Sequence, residues 1–536
     1  MTVRARIACA FASVLFAIST VASTRAGERP LRVGLVQQPN SLDPLHAIQF
    51  YENYLAEAIF SALTVIDDRG NVAPDLVVRV PTRANGDISA DGKTIVYRLR
   101  HGVRWQDGVP LTSRDVAFTF ALMRDPKSNF PETTVYSIID RLDTPDAYTV
   151  VLHLHSAWAD ATSQLFVGGE DGSIVPEHVL RGVTDLNASH FESAPIGSGP
   201  YGVERWDRGA GIILRANPSY FRGRPPIDRI DVAFVPDQNT IALRILTGEL
   251  DFSPQIPQSA APMLRPSSSL RLVSAPTYND IQLGLNTRLA PFDDARVRRA
   301  LVMAVDRARL VSAVYHGFAV VADDLVPPQS SAYVHDASVR PSGDPDAASK
   351  LLDAAGWTRG TDGMRRKNGA PLAFVLTVPS GYAAVVNSAV QMQASWHAIG
   401  VDASLKTVPS NVMLAPGTGL LPTGAFSAYL ATNGYETSPD RADTLTTAGI
   451  PPNGRNYPRY SDRDVDAWTA LARTTFAEGP RNAIYAKISQ RVRADAPLVP
   501  LLWQKQFYAY TSKLSGVRPE TVNSDFWNVY DWRLAP

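Results

Sequence analysis

Along this chain, apolar positions fall into short runs whose period switches repeatedly between two and three to four residues. Leu31–Val36 predicts a strand, closed by the turn signal Pro39-Asn40-Ser41. Residues 54–63 predict a helix with Ala58, Ile59 and Leu63 on one face. Residues 89–123 are the most legible stretch. Asp91-Gly92 marks a turn, and Ile95, Tyr97 and Leu99 then alternate with Thr94, Val96 and Arg98 as in a half-buried strand. Asp107-Gly108 marks a second turn. Thr112 with Asp115 three residues on reads as a capping box, with Asp in place of the usual Glu. The helix that follows carries Val116, Phe120 and Met123 at helical spacing.

Residues 291–310 predict another helix. Pro291 and Asp293 or Asp294 would start it, with Val297, Leu301, Ala304 and Ala308 as its buried stripe. Arg296, Arg298 and Arg299 flank that stripe, where a solvated face is expected over a ligand contact. Further helices are expected at 346–355, 384–399, 462–476 and 481–494, and strands at 372–378 and 507–511. Helices and strands mixed over the whole length argue for α/β lobes.

The N-terminus changes the picture from a globular chain to an exported one. Arg4 and Arg6 precede an apolar run from Ile7 to Val21, and the small residues Ala22, Ser23 and Ala26 follow. This describes a signal peptide over residues 1–26, with Ala22 or Ser23 as other cleavage points. The run falls short of the about 20 apolar residues that span a bilayer. The one cysteine, Cys9, lies inside it, so the mature chain would carry no thiol for a disulfide, a nucleophile or a lipid anchor. A periplasmic protein without a lipid tether is expected. The full chain has formal charge 0, and residues 1–26 hold three arginines and no acids, so the mature charge is −3. That balance argues against nucleic acid or an anionic membrane surface as the main partner. A hydrophobic share of 45% supports a large core, and the length suggests more than one domain.

Catalytic motifs are not evident. There is no Gly-x-Ser-x-Gly elbow, no His-Glu-x-x-His, and Gly168-Gly169-Glu170-Asp171-Gly172 is a loop without the form of a phosphate-binding turn. His153 and His155 share a strand face but have no third ligand in sight, so no metal and no cofactor are expected. The stretch from Tyr429 to Arg441 has the character of a binding loop, mixing aromatics, amides and acids: Asn433, Tyr435, Glu436 and Asp440. Asp440 could equally cap the next segment, with Glu436 solvated. Asn40 within Gln37–Ser41, Tyr136, Trp158 and Asn279 are further candidates for the wall of a cleft. Trp396 and Trp503 are expected in the core.

Several ordered blocks carry a resemblance. These are Pro39-Asn40-Ser41-Leu42-Asp43-Pro44, Ser89–Thr94, Leu99–Gly108 with Pro110-Leu111-Thr112, Gly197-Ser198-Gly199-Pro200-Tyr201, and Asn217–Phe221. Thr247–Asp251, Pro291–Asp294 with Arg296-Val297-Arg298, Ala354–Trp357 and Ala496–Leu501 follow in the same order. Together they resemble the peptide/nickel/opine family of solute-binding proteins, extracellular solute-binding family five. The resemblance implies a two-lobed periplasmic binding protein fold of the cluster C type, α/β, with a ligand cleft between lobes and an extra inserted domain. By that analogy the first lobe is 28–75, 195–277 and 498–536, the inserted domain 76–194, and the second lobe 278–497. A hinge would lie near Pro276–Asn279 and Pro497–Leu501.

The function implied is a monomeric substrate-binding protein that delivers a peptide or peptide-like solute to an ABC permease. An opine, a sugar or a metal chelate is the alternative ligand. A secreted hydrolase or peptidase, or a chaperone or sensor on the same fold, is the alternative class. In peptide-binding relatives, the loop matching Tyr429–Arg441 places an aromatic and an aspartate that holds the ligand's ammonium. Here Tyr435 matches the aromatic. Thr437 or a neighbour stands at the aspartate position, which leaves the ligand open.

Overall fold

The computed structural model describes residues 29–46, 50–128, 130, 133–168, 172–183, 189–435, 437–519 and 525–536. The expected signal segment and Glu436 lie outside the described residues. Among those described, no helix is long and apolar enough to cross a membrane.

An eleven-stranded mixed sheet organises the chain. Two long antiparallel strands, Leu270–Leu285 and Leu498–Thr511, form its centre. On one side of this pair the sheet continues through Phe252–Ser253, Leu31–Leu35, Arg229–Phe234, Gly211–Ala216 and Tyr201–Asp207. On the other side it continues through Ala428–Gly434, Ala373–Pro379 and Asp402–Val408. Ala373–Pro379 runs parallel to both of its neighbours, and Leu31–Leu35 is likewise parallel to both of its own. Strands flanked in parallel on both sides read as near-continuous apolar runs, as Leu31, Val33 and Leu35 do.

Two main hydrophobic cores share this sheet. One gathers Leu31, Val33, Phe252, Tyr508 and Trp532 with the apolar faces of residues 54–191. The other gathers Ile281, Leu283, Leu285, Val297, Leu376, Trp396 and Leu501. The central strands contribute to both, so they are the physical link between two lobes. Their pairing breaks twice: between Pro276 and Asp280, and between Ile281 and Gln282, where Leu501 is left over opposite. Such irregularities bend a strand and interrupt its ladder.

The three-stranded sheet of Thr94–Arg98, Thr149–Leu154 and Ile139–Asp146 packs as a unit with helix Ser113–Arg124. Ile95 and Tyr97 are fully buried, as alternation requires. The capping box forms: Thr112 N–H donates to Asp115 Oδ2 at 2.8 Å, while Arg114 N–H donates to Thr112 Oγ1 at 3.3 Å. Val116, Phe120 and Met123 face the core.

The helix expected over 291–310 is shorter. Its regular part is Ala295–Met303, capped by Asp294, whose carboxylate accepts from Arg296 N–H at 2.8 Å. Asp306 caps a new turn through Arg309 N–H, so the stripe does not continue and Ala308 is exposed. Arg298 is also not on a solvated face. It is buried and donates to the carbonyls of Asp495 and Phe292, both at 2.6 Å. The strand expected at 507–511 is the end of the fourteen-residue Leu498–Thr511.

Candidate functional site

The site begins with an exception to alternation. Along Leu270–Leu285, Ile281, Leu283 and Leu285 enter the second core, while Asp280, Gln282 and Gly284 share the opposite face. A row of three register partners crosses the sheet here: Asn433, Asp280 and Trp503. Gly284 lies opposite Tyr429, and a Cβ there would stand 2.1 Å from that ring, so only glycine lets the phenol lie over the strand. The freed phenol accepts from Gln282 Nε2 at 3.0 Å. Gln282 Oε1 accepts in turn from the Tyr435 hydroxyl.

Tyr435 closes the site from the loop after Ala428–Gly434. Its N–H donates to the Tyr278 carbonyl at 3.2 Å, and its ring meets Trp503 with centroids 6.3 Å apart. The Arg441 guanidinium lies 3.6 Å above the Tyr435 ring, a cation–π contact in a desolvated setting. Tyr435, Trp503, Tyr278 and Ala322 form a small apolar cluster with Ile66, with Val72 and Val167 packed against it.

Charge is arranged unusually here. Asp280 is fully buried, with the Asn433 side chain and backbone and the Arg441 guanidinium beside its carboxyl. Burial pushes its carboxyl well above the ordinary value, against the opposing pull of Arg441 and the Asn433 amide. Asn433 Nδ2, Arg441 Nη2 and Trp503 Nε1 are buried without acceptors. Native proteins satisfy most such groups, so orphans gathered in one place mark a site needing explanation.

A second group of contacts joins the segment around Asp160 to residues 438–485. Asp160 accepts from Ser438 Oγ at 2.9 Å and from Tyr485 Oη at 3.2 Å, with Arg481 at 3.4 Å. Burial raises the Asp160 carboxyl, and Arg481 and Ser438 oppose that rise. Ala159 N–H donates to the Arg473 carbonyl at 2.7 Å, and the Arg473 guanidinium sits 5.5 Å from the Trp158 ring. Phe476 reaches across to Gly92 and lies under the Arg83 guanidinium at 3.7 Å.

Of the residues singled out from sequence, the structure brings Asn279, Asn433 and Tyr435 together. Asn279 is the register partner of Gly434, one residue from Asp280. Asp440 lies nearby but is engaged structurally: it accepts from Ala442 N–H at 2.9 Å and pairs with Arg473 at 2.5 Å. Trp158 joins the seam. Asn40 is exposed, and its backbone is held by Glu52 at 2.9 Å and Arg208 at 3.2 Å. Tyr136 sits apart, buried against Phe130 and Phe166, with its hydroxyl accepting from Phe166 N–H at 3.1 Å. Trp396 packs the second core, donating to the Leu301 carbonyl at 2.8 Å. Trp503 is as buried as expected, yet in the seam cluster. His153 pairs with Asp143 at 3.0 Å. Asp160, Asp280 and Gln282 were not singled out, and Arg441 only as the end of the Tyr429–Arg441 stretch. A signal existed for two of them, since Asp280 and Gln282 interrupt an apolar strand at a spacing of two.

Comparison with known proteins places this geometry. The chain is 26% identical over 511 residues to the oligopeptide-binding protein AppA of Bacillus subtilis, covering 94% of this chain and 91% of the relative. It is 26% identical over 495 residues to the glutathione-binding protein GsiB of Salmonella typhimurium, covering 90% of each. Among solved structures, AppA of Bacillus subtilis in complex with a nonapeptide superposes with a TM-score of 0.76 at 24% identity, covering 95% of this chain and 99% of that one. The ABC transporter substrate-binding protein CtaP of Listeria monocytogenes superposes at 0.80 with 22% identity, covering 95% and 99%. Residues 71–454 match the profile of bacterial extracellular solute-binding proteins, family 5. The chain belongs to the family 5 bacterial extracellular solute-binding proteins.

Proposed function

We propose that this protein is the periplasmic substrate-binding component of an ABC importer, capturing a peptide or peptide-like solute by lobe closure. The observation that carries this reading is the seam itself. Two cores share one sheet, and the strands joining them present Asp280, Gln282 and Trp503 toward a loop that brings Tyr435 and Arg441. Ligand contacts made by both lobes favour the closed state, and that state docks on the permease. Membership of a solute-binding family supports binding over a secreted hydrolase. Relatives named for oligopeptide and glutathione binding support a peptide-like ligand.

In this reading residues 1–26 are removed on export, and the mature monomer stays in the periplasm without a lipid anchor. The first lobe comprises 28–75, 195–277 and 498–536, with 76–194 inserted, and the second lobe comprises 278–497. The register breaks at Pro276/Asp280 and at Leu501 suit a hinge. Native mass spectrometry of protein recovered from its own periplasm tests the assignment, joined to solution scattering. A retained small solute, and a wider particle once it is removed, are expected. A chain with no solute, and no compaction on adding peptide, opine or metal-chelate pools, would overturn it.

A further inference from the structure

The loop that carries Tyr435 is anchored from outside its own strand. Ser438, three residues on, is buried, and its Oγ donates to Asp160 Oδ2 at 2.9 Å. The same Oγ accepts from Asp440 N–H at 3.1 Å, and the Ser438 carbonyl accepts from Arg441 Nη1 at 3.4 Å. One serine therefore holds the turn and the guanidinium that lies over the Tyr435 ring. Its acceptor stands 278 positions earlier. Asp160 precedes the short turn Ala161–Ser163, where an aspartate ordinarily caps its own backbone. It makes no such bond. Its carboxylate turns instead to Ser438, to Tyr485 Oη at 3.2 Å and to Arg481 at 3.4 Å.

Two carboxylates and two guanidinium groups meet here. Helix Glu478–Asp495 brings Arg481 and Tyr485 onto Asp160. The loop brings Asp440, whose like charge repels that of Asp160 and is itself paired with Arg473 of helix Arg463–Thr474. The Asp160 segment adds Trp158, which is uncharged and faces the Arg473 guanidinium. Asp160 is 7% exposed, and the side chains that meet its carboxyl all belong to residues 438–485, so it is dry only while they are docked.

We propose that Asp160 is a proton-linked positioning residue for the solute-binding loop, acting through Ser438. This rests on the importer reading, in which that loop meets the solute. Undocked, the carboxyl stands in water and loses its proton near the ordinary value, about 4. Docked, loss of water raises it; Arg481 and Ser438 oppose the rise, Asp440 adds to it, and Tyr485 opposes it. The docked form therefore holds more protons above about pH 4, and a fall in pH favours docking. Docking has this contribution in full below about pH 4 and loses it as pH rises through the docked value. Protonation at Oδ1 spares the anchor, since Oδ2 still accepts from Ser438. Acid thus seats the loop more firmly, and solute affinity should rise with it.

Hydrogen exchange of the full mature protein tests this without a solute. Ala159 N–H donates to the Arg473 carbonyl at 2.7 Å and reports docking, while Tyr435 N–H donates to the Tyr278 carbonyl at 3.2 Å and reports the loop. Val96 N–H, bonded to the Asp87 carbonyl at 2.7 Å, reports general opening. After correction for intrinsic exchange, protection at Ala159 and Tyr435 is expected to rise as pH falls from about 7 to about 5, by up to about tenfold per pH unit, the limit for one linked proton. Asp160→Asn should make both flat. Ser438→Ala should flatten Tyr435 alone, since Ala159 keeps its link through Tyr485 and Arg481. A purely structural residue would lower protection and leave the slope in place. Flat protection in the wild type, a slope that survives Asp160→Asn, a Tyr435 slope that survives Ser438→Ala, or one shared equally by Val96 overturns the inference and leaves the importer reading intact. The expected slopes in a protein that binds no peptide, opine or metal-chelate pool would uphold this link and overturn the importer reading instead.

Discussion

Ser438 Oγ donates to Asp160 Oδ2 at 2.9 Å, tying the loop after Ala428–Gly434 to the segment that follows the three-stranded sheet. Tyr485 and Arg481 converge on the same carboxylate. Asp160→Ala removes the acceptor for two hydroxyls and the counter-charge of Arg481. Breaking a buried pair on one side costs about 3–5 kcal/mol. If the proposed lobes close on a ligand, most of that cost should fall on closure, since the partners Ser438 and Tyr485 lie 278 and 325 residues along the chain from Asp160. The expected result is a larger radius of gyration by solution scattering with an unchanged circular dichroism spectrum. An unaltered scattering curve would refute the role.

Gly284 tests the packing beneath the site. A methyl at this position would meet Tyr429 Cε1 at 2.1 Å and Cζ at 2.3 Å. Gly284→Ala must displace the Tyr429 ring and with it the hydrogen bond from Gln282. Overpacking of this kind costs about 1–3 kcal/mol, which urea denaturation would read as a lower midpoint with an unchanged slope. Stability equal to wild type would mean the ring moves freely.

Asp525 supplies a pH signature far from the seam. It is buried, accepts from Tyr508 Oη at 2.5 Å, and burial pushes its carboxyl up to about 7. The unfolded chain releases that proton near the ordinary carboxylate value, about 4, so between these limits the folded state holds more protons. The contribution of Asp525 to stability therefore declines as pH rises from about 4 to about 7 and is level above, a total of up to about 4 kcal/mol. Asp525→Asn keeps an acceptor for Tyr508 and should remove this slope. Identical slopes in the two proteins, measured by denaturation across the window, would exclude it.

Sequence periodicity read local structure well where one element packs on one face. The capping box at Thr112–Asp115 and the alternation of Ile95 and Tyr97 appear as expected, because both depend on neighbours within a few residues. The long helix Ala383–Ala398 differs from its expected bounds by one residue. What failed depended on distant partners. Arg298 looked solvated because nothing in its own helix reveals the Asp495 carbonyl it binds. Tyr136 looked like a wall residue because its aromatic neighbour Phe166 lies thirty positions away. Tyr435, Asn433 and Asn279 were legible as a binding-like composition. Asp280 was not, since its burial beside Asn433, Arg441 and Trp503 follows from cross-strand register and a distant loop.

Phe476 separates closure from ligand contact. It follows helix Arg463–Thr474, packs on the hydrophobic core that holds Leu31 and Val33, and carries the Arg83 guanidinium 3.7 Å from its ring. Its neighbours are Gly92 and Arg83, and it is not part of the Tyr435–Trp503 cluster, so Phe476→Ala should leave the ligand's chemistry unchanged. It removes one apolar contact and one cation–π contact across the seam, about 1–2 kcal/mol together. The closed state becomes less populated by that amount, and apparent affinity falls by about tenfold. Because the loss is in closure, the dissociation rate should rise, while the relative ranking of ligands stays as in wild type. Melting should move little, since Phe476 is only partly buried at the edge of that core. Stopped-flow binding of any solute that compacts the wild type reads both rates. A changed ligand ranking would place Phe476 in recognition, and an unchanged dissociation rate would remove it from closure.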